Sequence, residues 1–502
     1  MHALDIAVVL VYAVGITIFG SWFYRRTRSA SAFMTAGQRL PVWVVGMSIF
    51  ATYLSSITFL ALPGKAYAAD WSPWAFSLSI PLAAWVAVRW FVPLYRATTD
   101  ASAYTYLERR FGLWARLYGA SFYLLTQIAR TATILFLVAL PLEPLTGWPT
   151  AWVIVVTGAL VTLYTSVGGV EGAIWTDVVQ GIILTVGSVV CVVILLAGLP
   201  QGAAQLFEIA GQHDKFSLGS FAFDPLSAGF WTIFIYGLFI NLQNFGIDQS
   251  YVQRYQTAQS LPAARRSLWL GGLIYIPVSA LFLLIGTALF AFYRAQPELL
   301  PEALRGIDAA DRVFPHFMAT ALPVGLTGLL IAALFSAAQS TVTTSINSSA
   351  TVLLSDFYVR LLRPAASDRE QLRVLRAASL ALGVIGTSAA LLMISIKSTL
   401  DVWWNLAGIF SGGMLGLFLL GALSRRAGSV QAGFGMGLGL LVLVWAALSA
   451  KMGWPFTNPL HAFFTTVLGT LTIFGVGVVL SRHRARLTRR EGPPLTIHDN
   501  RD

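Results

Sequence analysis

Thirteen apolar runs of about 20 residues, each long enough to cross the hydrocarbon core of a bilayer as a helix, organise the chain. They lie at 3–23, 42–69, 73–97, 115–142, 149–167, 173–198, 229–253, 267–293, 320–353, 374–396, 401–423, 429–450 and 459–481. In lipid every backbone amide must bond within the protein, so a chain made of such runs folds as a bundle of transmembrane helices. The expectation is an all-α membrane protein with about 13 spans and little chain left for a soluble domain. Charged residues agree, at 11% of the chain against roughly a quarter in soluble proteins. The first run has no basic residue before it and no clear small-x-small cleavage site, so it is read as a retained helix. Cys191 is the sole cysteine and sits in an apolar run, which excludes a disulfide framework.

The net charge of +11 would suit nucleic acid if it were clustered, but it follows the helix connections. Arginines crowd alternate loops: Arg25, Arg26, Arg28 and Arg39, then Arg96, Arg109, Arg110 and Arg116, then Arg254, Arg265 and Arg266. The pattern continues with Arg360 to Arg376, Arg425 and Arg426, and the tail from Arg482. The opposite loops carry only Lys65, Lys215, Arg294, Arg305, Arg312, Lys397 and Lys451. The positive-inside rule then sets the N-terminus outside and the C-terminus in the cytoplasm, in the plasma (inner) membrane. No nucleic-acid partner is expected; the partners are the lipid bilayer and a small molecule.

Polar interruptions of apolar helices mark places where irregular backbone lines a cavity or is buried in protein. The run at 42–69 contains Ser55, Ser56 and Thr58 ahead of Pro63-Gly64, and the run at 229–253 contains Asn241, Gln243, Asn244, Gly246, Asp248 and Gln249. Counting the first run as zero, these are runs 1 and 6, each the first of a set of five. Matching discontinuous helices in two halves are the trace of an inverted repeat with substrate held at the breaks. Two ordinary polar helix ends are the alternative.

The run at 320–353 carries Gln339 to Thr344, one amide and four hydroxyls. At 3.6 residues per turn Ala337, Ser340, Thr341 and Thr344 share a face. Neutral hydroxyls and freed carbonyls suit a singly charged hard cation that must later be released, and sodium (Na+) fits. Small and hydroxyl residues also serve plain helix packing. Asp177 lies at a similar depth, where a carboxylate near Thr343 and Thr344 would serve a second cation; a helix-terminal acid favoured by the macrodipole is the alternative.

Arg130 lies mid-span in LLTQIARTATILF. A charge there is costly and marks function or a structural pair, and its planar fork suits a substrate carboxylate. Arg89 lies nearer an end and is read as snorkelling. The six histidines form no ligand spacing, no phosphate loop supports ATP-driven transport, and no paired carboxylates suggest an enzyme.

SSITF at Ser55 to Phe59, TSVGGVEGAIWTDVVQG before Asp177, VQRY at Val252 to Tyr255 and AAQSTVTTSIN at Ala337 to Asn347 together resemble the sodium/solute symporter family, and within it the bacterial sialic acid symporters. The resemblance implies a leucine-transporter-type inverted five-helix repeat and alternating access. It implies a first sodium site at Ala51, Leu54, Ala337, Ser340 and Thr341, and a second at Asp177, Ser340, Thr343 and Thr344. Substrate contacts implied are Ser55, Ser56, Thr58 and Arg130; Ser77, where those symporters present a glutamine, and Asn244 complete the candidate set.

The expected organisation is one transporter domain over 1–502: a helix at 3–23, core repeats at 42–198 and 229–423, extra helices at 429–481 and a basic cytoplasmic tail at 482–502. The expected function is sodium-coupled import of sialic acid or a similar carboxylate-bearing sugar, a monomer sufficing. Asp248 and the Ser77 position depart from the sialic acid symporters, which keeps a neutral sugar, a monocarboxylate or a vitamin as alternatives. A transporter-like solute sensor is a further class, disfavoured because no signalling domain follows Arg482.

Overall fold

The computed structural model describes residues 2–98, 100–395, 412–450 and 452–484. Among them the chain is helical, with an isolated bridge between Leu40 and Ala258 in place of any strand. The helices that matter below are α1 (Ala3–Trp22), α2 (Val42–Tyr53), α3 (Ser56–Ala68), α4 (Trp74–Arg96), α5 (Leu113–Thr146), α6 (Thr150–Ala197) and α7 (Phe230–Ile247). They continue with α8 (Gln249–Thr257), α9 (Leu261–Ala295), α10 (Leu326–Leu362), α11 (Asp368–Leu392), α12 (Gly412–Leu423), α13 (Ser429–Leu448) and α14 (Phe464–Arg484).

Among the described residues ten helices are long and apolar enough to cross a membrane, and α2 with α3 forms an eleventh span bent by 55°. The 48 residues of α6 would reach about 72 Å, more than twice a bilayer core. Gly169 divides it, with φ 59° and ψ −160°, between the two runs expected at 149–167 and 173–198. That backbone suits glycine, and a Cβ there would press on Phe33 and Thr27 at 3.1 Å. The run at 320–353 is longer than expected, since α10 continues through a π-helical segment, Leu353–Leu362. The run at 401–423 lies outside the described residues up to Gly412, as does the tail beyond Arg484.

Helix α10 forms the centre: 94% of its apolar window is buried, against 22% for α1 and 28% for α13, whose outer faces are left to lipid. It packs against α1, α2, α5, α6, α8 and α11. The first helix is anchored to it, because buried Asp5 Oδ1 accepts from the N–H groups of Gly325 (2.7 Å) and Gly328 (3.0 Å), capping the start of α10. Helix α9 lies close on α2, where a Cβ on Gly271 would sit 2.6 Å from the carbonyl of Gly46.

The arginines of the alternate connections are not all exposed. Arg110, Arg116 and Arg254 are buried because protein carbonyls and carboxylates replace their water. Arg110 donates to the carbonyls of Gly421 (3.0 Å), in the last turn of α12, and Ser424 (2.7 Å), just beyond it. Arg116 pairs with Asp356 (2.5 Å) and Glu108 (2.8 Å), and Arg360 holds the same Glu108 at 2.7 Å. Hydrogen bonding from Arg360, then Arg116, holds the Glu108 carboxyl below its ordinary range. On the other side Lys215 turns inward, donating to the carbonyls of Tyr67 (2.7 Å) and Ala69 (2.9 Å) at the end of α3. The connection at 201–229 contains the short helix Ala204–Gln212, and that at 295–312 contains three 3₁₀ turns.

Candidate functional site

Extended residues interrupt the helical path at two places, between α2 and α3 and between α7 and α8. The chain leaves α2 through Leu54 (φ −82°, ψ 109°) and Ser55 (φ −122°, ψ 171°), and leaves α7 through Asp248 (φ −74°, ψ 118°), all extended. Each break is closed by its own side chains. Ser55 Oγ accepts from Thr58 N (3.4 Å), Thr58 Oγ1 donates to the Tyr53 carbonyl (3.2 Å), and Asp248 Oδ1 accepts from Ser250 N (2.8 Å) and Oγ (2.5 Å). Short polar residues at these positions are what caps the second helical segment. Asn241 ties α7 to α2 and α4: it accepts from Tyr53 Oη (3.0 Å) and donates to Ser79 Oγ (3.0 Å).

Beside the first break stands the hydroxyl run of α10. Ser340 Oγ reaches the Ala51 carbonyl at 3.4 Å, and Thr341 Oγ1 donates to the Ala337 carbonyl at 3.2 Å. Ala51, Leu54, Ala337, Ser340 and Thr341 are each at most 2% exposed, so a cation held by their oxygens would be dry. The structure thus brings Ala51 and Ser340 into contact from elements far apart in sequence. Neutral carbonyl and hydroxyl oxygens match a hard monovalent cation.

Asp177 lies next to the same serine. Its Oδ1 accepts from Ser340 Oγ (2.6 Å), and its Oδ2 accepts from Ser48 Oγ (2.5 Å) and Arg254 Nη2 (2.6 Å). Arg254 is fully engaged, with Nε donating to Ser48 Oγ (2.7 Å), Nη1 to the Ser250 carbonyl (2.6 Å) and Nη2 also to Thr344 Oγ1 (2.7 Å). Thr343 Oγ1 faces away to the Tyr164 hydroxyl at 2.5 Å. Three of the residues expected around a second cation, Asp177, Ser340 and Thr344, are therefore gathered, and a guanidinium stands among them. Removing either member of such a buried pair strands a charge, which costs about 3–5 kcal/mol.

Arg130 of α5 lies beside the second break, Nη1 4.0 Å from Asp248 Oδ2, with the side chains 19% and 14% exposed. Asn244 is half-buried one turn before that break. Ser77 is placed elsewhere, 2% exposed in the α4–α9 interface, where it accepts from Ser279 Oγ at 2.8 Å; no contact links it to Ser55 or Arg130 among the described residues. The Ser56 side chain lies outside the described residues. Sequence reasoning missed Arg254, assigned to a loop, and Ser48, which has no polar neighbour in sequence to mark it. Asp248 stood out as part of the polar interruption and as a departure, but its place beside Arg130 had no local signal.

The profile of the Sodium:solute symporter family matches residues 33–439. The chain is 34% identical over 478 residues to the sodium/sialic acid symporter NanT of Aliivibrio fischeri, covering 94% of this chain and 92% of that one. It is 33% identical over 487 residues to the sodium/sialic acid symporter SiaT of Proteus mirabilis, covering 95% and 94%. A solved substrate-bound, outward-open Na+-coupled sialic acid symporter superposes with a TM-score of 0.89 at 31% identity, over 96% of this chain and 98% of that one. The fold and relatives are those of secondary transporters and not of enzymes. With a profile spanning most of its helices and a fold shared from end to end, the chain belongs to the sodium:solute symporter family, multi-pass membrane transporters that move small solutes with sodium.

Proposed function

We propose that this transporter imports sialic acid (N-acetylneuraminic acid), or a carboxylate-bearing sugar of similar size and charge, by sodium-coupled alternating access. The observation that carries the reading is Arg130, a mid-span guanidinium beside the second helix break that donates no hydrogen bond among the described residues. Its planar fork matches a carboxylate. Ser55, Ser56, Thr58 and Asn244 are the polar groups for the rest of the substrate, with Ser77 supporting from the α4–α9 interface.

Sodium binds first, held by the carbonyls of Ala51, Leu54 and Ala337 and the hydroxyls of Ser340 and Thr341. It joins α2 to α10 at the break, stabilises the outward-open form and lets the substrate settle between the breaks; closure then exposes both inward. A second sodium at Asp177, Ser340, Thr343 and Thr344 would share the carboxylate with Arg254. Two sodium ions with one monoanion carry a net positive charge, favoured inward by about 2.3 kcal/mol per 100 mV; one sodium with the anion is electroneutral. The whole of 1–502 acts as one transporter domain, with repeats at 42–198 and 229–423, the N-terminus outside and the C-terminus in the cytoplasm. A monomer suffices for the cycle.

The proximity of Asp248 to Arg130 favours one second reading, a neutral sugar, because Arg130 would then be balanced within the protein. Thermal stability of the detergent-purified protein separates the two, since a ligand that binds only the folded state raises stability with its concentration. N-acetylneuraminic acid should raise Tm in sodium but not in potassium at equal ionic strength, and Arg130→Ala should abolish that rise. A shift with neutral sugars alone would establish the second reading instead.

A further inference from the structure

Arg130 and Asp248 face one another without bonding. Their closest approach is 4.0 Å, beyond hydrogen-bond reach, whereas the buried pairs Arg116–Asp356 and Arg254–Asp177 close to 2.5 and 2.6 Å. One oxygen of Asp248 is already committed, since Oδ1 takes both the N–H and the hydroxyl of Ser250. A capping role accounts for that oxygen and leaves Oδ2 turned to Arg130. The site therefore presents a guanidinium fork with unused donors and, 4.0 Å away, a carboxylate oxygen with unused lone pairs.

A ligand carboxylate seated on Arg130 lies a few ångströms from that oxygen, and like charges so placed repel where the surroundings are largely protein. A plain carboxylate meets this repulsion in full. An acid with a hydroxyl or ammonium on the adjoining carbon turns it into a hydrogen bond, because the donor falls between the two carboxylates. We infer that Asp248 is the specificity-determining residue of this site, selecting acids that carry a hydrogen-bond donor beside the carboxylate over acids that lack one. The inference rests on the proposed role of Arg130 as carboxylate anchor. It narrows the substrate class to 2-hydroxy or 2-amino acids, including sugar acids with an anomeric hydroxyl next to the carboxylate, and it disfavours simple monocarboxylates.

The test compares matched acids on wild type and Asp248→Asn, a substitution that keeps both size and capping ability. The probes are N-acetylneuraminic acid with its 2-deoxy analogue, lactate with propionate, and mannose as a neutral sugar. Affinity is read from sodium-dependent thermal shifts of the full chain, and the rise given by sodium alone confirms that the variant is folded. Wild type should favour the hydroxylated member of whichever pair it binds by about tenfold or more, the worth of a hydrogen bond to a charged group. In Asp248→Asn that ratio should fall toward one, chiefly through tighter binding of the acid lacking the hydroxyl. A wild-type protein that does not discriminate, or a ratio unchanged in the variant, would overturn the role of Asp248 while leaving acid transport intact. Binding of mannose with no acid bound would overturn both.

Discussion

Ser340 is shared between two demands, reaching the Ala51 carbonyl at 3.4 Å and the Asp177 carboxylate at 2.6 Å. Its loss should therefore register in sodium affinity before it registers in folding. Ser340→Ala is expected to raise the sodium concentration needed for half-maximal thermal shift by about tenfold, from one lost ligand to a charged partner; an unchanged requirement would remove this hydroxyl from the cation site. Arg254 should show the opposite balance. Its buried fork holds Asp177, Ser48, Thr344 and the Ser250 carbonyl together, so Arg254→Ala should cost about 3–5 kcal/mol of stability, measurable as a large fall in Tm without sodium. The hydroxyls of α10 and Arg130 were legible in the sequence because polar groups stand out in apolar helices. Arg254 was not, since its partner Asp177 lies 77 residues away and VQRY reads locally like the polar end of a span.

At the scale of elements, the two breaks were legible for the same reason, and the structure realises them as extended residues with self-capping side chains. The division of α6 falls between the apolar runs at 149–167 and 173–198, where the backbone leaves the helical region at Gly169. The clamp between the start of α5 and the end of α10 was less visible, because Arg116 and Arg360 were counted only as loop charge and the acids that join the two ends, Asp356 to Arg116 and Glu108 to Arg360, lie far away in sequence. Glu108 there is held by Arg360 and Arg116, and its carboxyl is pulled below its ordinary range. A folded-state value below the unfolded one stabilises the fold above the unfolded pKa, and that stability is lost as pH falls through the folded value. Acidification below about pH 4 should thus lower the Tm of wild type more steeply than that of Glu108→Gln. Parallel pH profiles would mean that the clamp adds nothing to stability, as many exposed ion pairs do.

For the molecule as a whole, fold class and family were legible from the spacing of apolar runs and four short motifs, and they agree with a structural relative matched over 96% of the chain. The balance of charge around the breaks was not legible, because it depends on which acid meets which arginine once the helices pack. In the proposed function that balance sets the substrate, and the central claim is that sodium drives a carboxylate-bearing sugar through this site by way of Arg130. The most direct test is uptake of labelled N-acetylneuraminic acid into proteoliposomes containing the full chain. Accumulation above equilibrium is expected under an inward sodium gradient, absent when potassium replaces sodium, and lost in Arg130→Ala. Accumulation that ignores sodium, or that survives Arg130→Ala undiminished, would contradict the account.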